Sequence, residues 1–139
     1  GGDEINLLEP GQNYGWPLVS KGVGYDGRPL PHAQTLGIGT LPANLVDPVV
    51  DLTPSPAVSS FTVYRGAQFP AWQGDLIVGT LRASDLIRLE VRADRVVHRE
   101  TLIEDIARIR DVAAGPGGEL YLLLEHDSGG RIVRLTPAD

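Results

Sequence analysis

Glycine and proline punctuate this chain heavily, with 17 Gly and 11 Pro among 139 residues, and only 80–114 runs long without either. Glycine adds backbone entropy that ordering must overcome, and proline removes a helical N–H while clashing with the preceding turn. Long helices are therefore disfavoured over most of the chain, and short strands joined by turns are the expected alternative. Candidate strands run over 4–8, 60–64, 75–80, 86–91, 95–102, 109–114, 120–124 and 132–135, each bounded by Gly, Pro, Asp or Asn. Only 104–108 has helical flavour, and it reads as a loop or a single turn.

An apolar content of 42% is enough to build a core, so a disordered chain is not expected. The net charge is −6 and no block of Lys or Arg could neutralise a run of phosphates, which argues against nucleic acid as a partner. No apolar run reaches the roughly 18 residues needed to cross a bilayer. Cys is absent, which excludes disulfides, thiolate metal sites and Cys nucleophiles. Met is absent too, and a chain opening Gly1-Gly2-Asp3 is expected to be an internal piece of a longer protein or the product of processing.

The chain also echoes itself. Gly74-Asp75-Leu76-Ile77-Val78, followed by Leu86-Ile87-Arg88-Leu89, is matched by Gly118-Glu119-Leu120-Tyr121-Leu122 followed by Ile132-Val133-Arg134-Leu135. The offsets are 44 residues (74 to 118) and 46 residues (86 to 132). A period of roughly 40 to 50 residues made of short strands is what propeller blades give. The expected fold is all-β and part of a β-propeller: two blades, at 60–102 and 103–139, plus a strand in 1–14 that closes a third. Residues 15–59, with seven prolines between Pro17 and Pro56, read as one long loop crossing the top face. An arc of two blades would leave apolar faces and strand edges in water, so missing N-terminal blades or another copy of the chain should cover them.

Three stretches, GGDEINLLEPGQNYGWP, FPAWQGDLIVGTLRASDLIRLEV and RIRDVAAGPGGELYLLLEHDSGGRIVRLTP, occur in this order and cover most of the chain. Together they resemble the C-terminal part of the soluble glucose/sorbosone dehydrogenases, six-bladed propellers that oxidise aldose sugars with pyrroloquinoline quinone (PQQ) and calcium. By that resemblance Glu4 and the backbone carbonyl of Tyr14 bind a structural calcium, with Asp3 and Asp26 as nearby carboxylates. Oxygen donors of this kind suit calcium, although spacing alone leaves open that Asp3 and Glu4 merely blunt a strand edge. Tyr25 matches an aromatic that lies against the quinone, the alternative being a ring that covers a turn.

PQQ carries three carboxylates and so requires cations. Arg108 and Arg110 match an arginine pair that contacts the quinone and its carboxylates. Residues two apart on a strand share a face, so both guanidinium groups can converge on one anion. Most Arg-x-Arg pairs are solvated surface, but Ile109 and Val112 imply a partly buried strand here. Arg82 matches a cation for another cofactor carboxylate, and Thr53 and Ser55 match a loop that offers hydroxyls to the cofactor. Two departures stand out: Leu52 replaces a Trp of the family, altering one wall of the site, and Ala57-Val58-Ser59 replaces Ala-Pro-Ser.

The family's catalytic base is a His in an earlier blade, and carbonyls preceding the GGDE motif hold the cofactor's calcium. Neither is expected in this chain. His32, His98 and His126 show no His-x-His or His-Glu-x-x-His spacing, are not placed like that base, and read as ordinary residues of a Pro-rich loop, a polar strand and a blade-end turn. The resemblance thus implies a chain that grips PQQ beside a sugar substrate without supplying the base, in a periplasmic or secreted enzyme. The alternative from another class is a non-catalytic propeller arc that serves binding or assembly.

Overall fold

The computed structural model describes residues 2–30 and 36–138. His32 lies outside the described residues. Contacts divide the chain into two compact units, Gly1–Ser55 and Pro56–Asp139.

In the first unit, β1 (Glu4–Ile5) pairs antiparallel with β2 (Val50–Asp51). The pairing continues through Val49 N–H to Ile5 O at 2.9 Å and Leu52 N–H to Asp3 O at 2.8 Å. The rest of its described residues are irregular, with single bridges joining Asn13 to Leu45 and Val23 to Pro29. The stretch read as one loop therefore differs in two places: it contains β2, and the following strand begins at Val58. A two-residue strand carries too little pattern to be seen in a sequence.

The second unit holds two antiparallel sheets. One is four-stranded, in the order β3 (Val58–Val63), β4 (Leu76–Thr80), β5 (Leu86–Arg92), β6 (Arg95–Ile103). The other is three-stranded, in the order β7 (Arg108–Ala114), β8 (Leu120–His126), β9 (Gly129–Leu135). Among the described residues the only helical element is a single 3-10 turn at Pro70–Trp72. The repeat in the sequence is a repeat in space: Gly74 and Gly118 both adopt positive φ, 85° and 87°, and each leads into the middle of three consecutive strands. Glycine reaches this region without the penalty a Cβ brings. The β5–β6 hairpin turns through Ala93 and Asp94, both at positive φ, the conformation of a two-residue type I′ turn.

Tyr64, just after β3, and Ile77 and Leu86 of the first sheet pack with Ile109, Val112, Leu120, Leu122 and Leu124 of the second in one buried cluster. The Tyr64 hydroxyl donates to the Gly118 carbonyl and accepts from Phe69 N–H at 3.1 Å, tying the two sheets at one end. At the other end the sheets approach at Gly79, where an added Cβ would lie 2.6 Å from Ile109 Cγ2 and 2.9 Å from Val112 Cγ2. Asp75, buried at the start of β4, accepts from Arg88 Nε at 2.7 Å, Arg92 Nη1 at 3.1 Å and Val91 N–H at 3.1 Å.

Candidate functional site

Arg108 and Arg110 open β7, and a β-bulge decides where they point. From Ala114 back to Asp111 the strand pairs residue for residue with Leu120 to Leu123, but Ile109 then pairs with Leu124, leaving Arg110 as the extra residue. Continued without the bulge, the register would set Arg110 opposite Leu124, on the face that Val112 and Leu122 bury. The inserted residue instead puts Ile109 and Val112 into the core, 0% and 4% exposed, and both arginines outside it. There the guanidinium groups converge on one oxygen, Glu125 Oε2, with Arg110 Nε at 2.5 Å and Arg108 Nε at 3.4 Å. The Glu125 carboxyl is held below its ordinary pKa, chiefly by the close approach of Arg110, with burial opposing and the charges of both arginines adding.

Backbone ties bring the start of β7 beside the loop that carries Arg82. Ile106 N–H donates to Ser84 O at 3.0 Å, and Asp105 N–H donates to Asp85 Oδ1 at 3.0 Å. Ser59 Oγ, on β3, lies 2.6 Å from Ile109 O and 3.0 Å from Gly79 O. The loop itself is closed by Thr80, whose hydroxyl bonds both the carbonyl and the amide of Asp85. Its outer turn is pinned by Leu81 N–H to Ala57 O and Arg82 N–H to Pro56 O, at 2.8 and 3.0 Å. Arg82 is thus presented on a loop bonded to the segment that leads into Arg108.

The remaining candidate cofactor residues lie in the first unit. Ser55 donates its hydroxyl to Asp3 Oδ2 at 2.7 Å, and Thr53 N–H donates to Asp51 Oδ1 at 2.9 Å. Hydrogen bonds from Thr53 hold the Asp51 carboxyl below its usual pKa. Both residues are therefore held by hydrogen bonds within this unit, and each hydroxyl keeps lone pairs to accept with. Leu52, at the position of the family Trp, is only 2% exposed. Tyr25 sits on a turn closed by Gly24 N–H to Arg28 O at 2.8 Å and by Arg28 N–H to Asp26 Oδ1 at 3.1 Å. Its ring is fully exposed.

Glu4 and Tyr14, the expected calcium ligands, line one cavity of about 240 Å³ together with Ser20, Lys21, Val46 and Asp47. The Tyr14 hydroxyl donates to Leu7 O at 2.7 Å and accepts from Glu9 N–H at 2.6 Å, which fixes the backbone between Glu4 and Tyr14 as a closed loop. Asn6 Nδ2 donates to Glu4 Oε1 at 3.0 Å. Asp3 and Asp26 do not line this cavity, whereas Asp47, which the motif did not indicate, does. Among the described residues no cluster of three or more His, Cys, Asp or Glu side chains is positioned to hold a metal. Glu4 and Asp47 bring two carboxylates to this cavity, with Lys21 beside them; carboxylate oxygens suit calcium better than a softer metal.

Comparison with known proteins places the chain in a family. The glucose/sorbosone dehydrogenase model matches residues 1–134. The chain belongs to this family. It is 40% identical over 138 residues to the aldose sugar dehydrogenase YliI of Escherichia coli, a match that covers 99% of this chain and 36% of that protein. A crystal structure of a glucose dehydrogenase superposes with a TM-score of 0.86 at 40% identity, over 99% of this chain and 39% of the other. The soluble aldose sugar dehydrogenase of Escherichia coli in its apo-form superposes with a TM-score of 0.80 at 37% identity, again over 99% of this chain and 39% of the other. The fold is all-β and corresponds to part of a β-propeller. The chain thus spans well under half the length of these relatives, all of them sugar dehydrogenases by name. Among its described residues no helix is long and apolar enough to cross a membrane.

Proposed function

We propose that this chain is the C-terminal part of a PQQ- and calcium-dependent dehydrogenase that oxidises aldose sugars to lactones, and that it supplies grip on the cofactor while the catalytic base lies elsewhere in the enzyme. The observation that carries this reading is the convergence of Arg108 and Arg110 on a single carboxylate oxygen. Two guanidinium groups arranged in this way recognise carboxylates, and PQQ presents three. Arg82, on the adjoining loop, would meet a further carboxylate; Thr53 and Ser55 would accept or donate at the cofactor's polar edge; Tyr25, with both faces of its ring open, would stack on its flat system. When bound, the quinone supplies the two-electron acceptor for hydride leaving the sugar's C1. The positive charge of the arginines favours the anionic character that the cofactor gains on reduction.

Glu4, the Tyr14 carbonyl and Asp47 would hold a structural calcium that cross-links the first strand to the loop behind it. The blade boundaries at 60–102 and 103–139, the covering of the open faces by N-terminal blades or a second copy, and a periplasmic or secreted setting complete the proposal.

Spectral titration of the purified chain with PQQ in the presence of calcium tests it. Saturable binding that is lost in the Arg108→Ala, Arg110→Ala double variant supports the dehydrogenase reading. Indifference to PQQ supports a non-catalytic propeller arc instead.

A further inference from the structure

Glu125 is the residue that makes a pair out of Arg108 and Arg110. It stands directly opposite Arg108 in the β7–β8 register. Its Oε2 is approached by both arginines through Nε, the nitrogen nearest each side chain's stem. Two cations on one strand repel each other and, being 54% and 45% exposed, would otherwise explore many rotamers. A carboxylate shared between the two Nε groups offsets the repulsion and restrains both stems. It does so at the inner edge of each guanidinium, and the terminal nitrogens are the groups that fork onto a planar anion.

We propose that Glu125 is a positioning residue: by holding Arg108 and Arg110 side by side through Nε, it turns two flexible cations into one preorganised fork for the carboxylates of an anionic ligand. The proposal rests on the cofactor reading above. It contrasts with a placeholder role, in which the Glu125 carboxylate would merely occupy the arginines until a ligand displaced it. The two roles differ in sign. Removing a positioning group weakens ligand binding, whereas removing a placeholder strengthens it.

The test uses PQQ with calcium as the probe and compares the unaltered chain, Glu125→Gln, Glu125→Asp and the Arg108→Ala, Arg110→Ala double variant. Circular dichroism confirms the fold of each. Glu125→Gln should weaken PQQ binding roughly ten-fold or more, the scale on which losing a group that orients a ligand-binding side chain acts. Glu125→Asp, which keeps the charge on a shorter stem, should recover part of that loss. Equal or tighter binding in Glu125→Gln, with binding abolished in the double arginine variant, overturns the positioning role and leaves the cofactor reading intact. Binding that ignores the double variant defeats the cofactor reading itself. The Nε–H signals of Arg108 and Arg110 in a nitrogen-15 spectrum then decide the positioning role alone: they should move together toward the position of free arginine in Glu125→Gln, and unchanged signals overturn it. If Glu125→Gln fails to fold, Glu125→Asp carries the titration, and affinity equal to or above that of the unaltered chain overturns the proposal.

Discussion

Arg88 donates Nε–H to the carboxylate of Asp75 at 2.7 Å, across two adjacent strands and beneath the ring of Trp72, whose centroid lies 5.7 Å from the guanidinium carbon. Arg88 also reaches Glu100 Oε1 at 2.6 Å, so three strands of the first sheet are joined through one guanidinium. Because Asp75 is fully buried, Asp75→Ala would take the acceptor from Arg88 Nε and Val91 N–H, while Glu100 still pairs with Arg88, and should cost about 1 to 3 kcal/mol in a denaturant titration. Burial alone would raise the Asp75 pKa, but the Val91 amide and the guanidinium groups of Arg88 and Arg92 outweigh it and hold the pKa below 3.8. A carboxyl depressed in this way stabilises the fold above its unfolded pKa and loses that contribution as pH falls through the folded one. Melting temperatures should therefore decline below about pH 4, and Asp75→Asn should lose this acid-dependent part of the decline.

Gly79→Ala tests the approach of the two sheets. The added methyl would overlap Ile109 and Val112, forcing β7 outward at a cost of about 1 to 3 kcal/mol. Since those residues flank Arg110, the same variant should weaken PQQ binding although it touches no arginine. A chain that melts earlier but binds PQQ unchanged would show that the arginine pair tolerates displacement of its strand.

Calcium should raise the melting temperature of the unaltered chain, and a chelator should reverse the rise. Glu4→Gln should remove most of that response, with a smaller effect from Asp47→Asn. Differential scanning fluorimetry with and without calcium checks both. A full calcium response in Glu4→Gln would place the ion elsewhere.

Leu123 and Ile132 face each other across β8 and β9 on the side away from the core, 42% and 74% exposed. Beside them β9 ends a sheet of three strands and leaves one margin unpaired among the described residues. The purified chain should associate with rising concentration, since covering each such side chain contributes on the order of 1.5 to 3 kcal/mol. Replacing both with Lys should shift the chain toward monomer in sedimentation experiments without changing its circular dichroism.

Much of this architecture is legible in the residues. The runs at 75–80, 86–91 and 120–124 announce themselves by their Val, Ile and Leu content and match observed strands to within two residues at either end, whereas β1 covers only Glu4–Ile5 of the expected 4–8. The echo of Gly74-Asp75 in Gly118-Glu119 is legible for a physical reason, because the same positive-φ joint is needed at both places. Glu125 was not legible. Its relation to Arg108 depends on the β7–β8 register, and counting back from the Gly115 to Gly118 turn would set His126 opposite Arg108. The bulge shifts that partner by one, and nothing in Arg108-Ile109-Arg110-Asp111 marks an inserted residue. Its only signal is that Ile109 and Val112 lie three apart, too far for strict alternation in a strand whose partners are Leu120, Leu122 and Leu124. Asp47 was hidden in a similar way, since it reaches the cavity of Glu4 through a loop whose course no periodicity describes.

The extra residue at Arg110 separates what a deletion in β7 would take away from what it would spare. Excising Arg110 would leave Ile109 opposite Leu124 and Arg108 opposite Glu125, now in strict alternation with Asp111 and Val112. The hydrocarbon layer would keep its occupants, while the guanidinium pair would be reduced to a single arm. Recognition and foldedness are thus written in different residues of one strand.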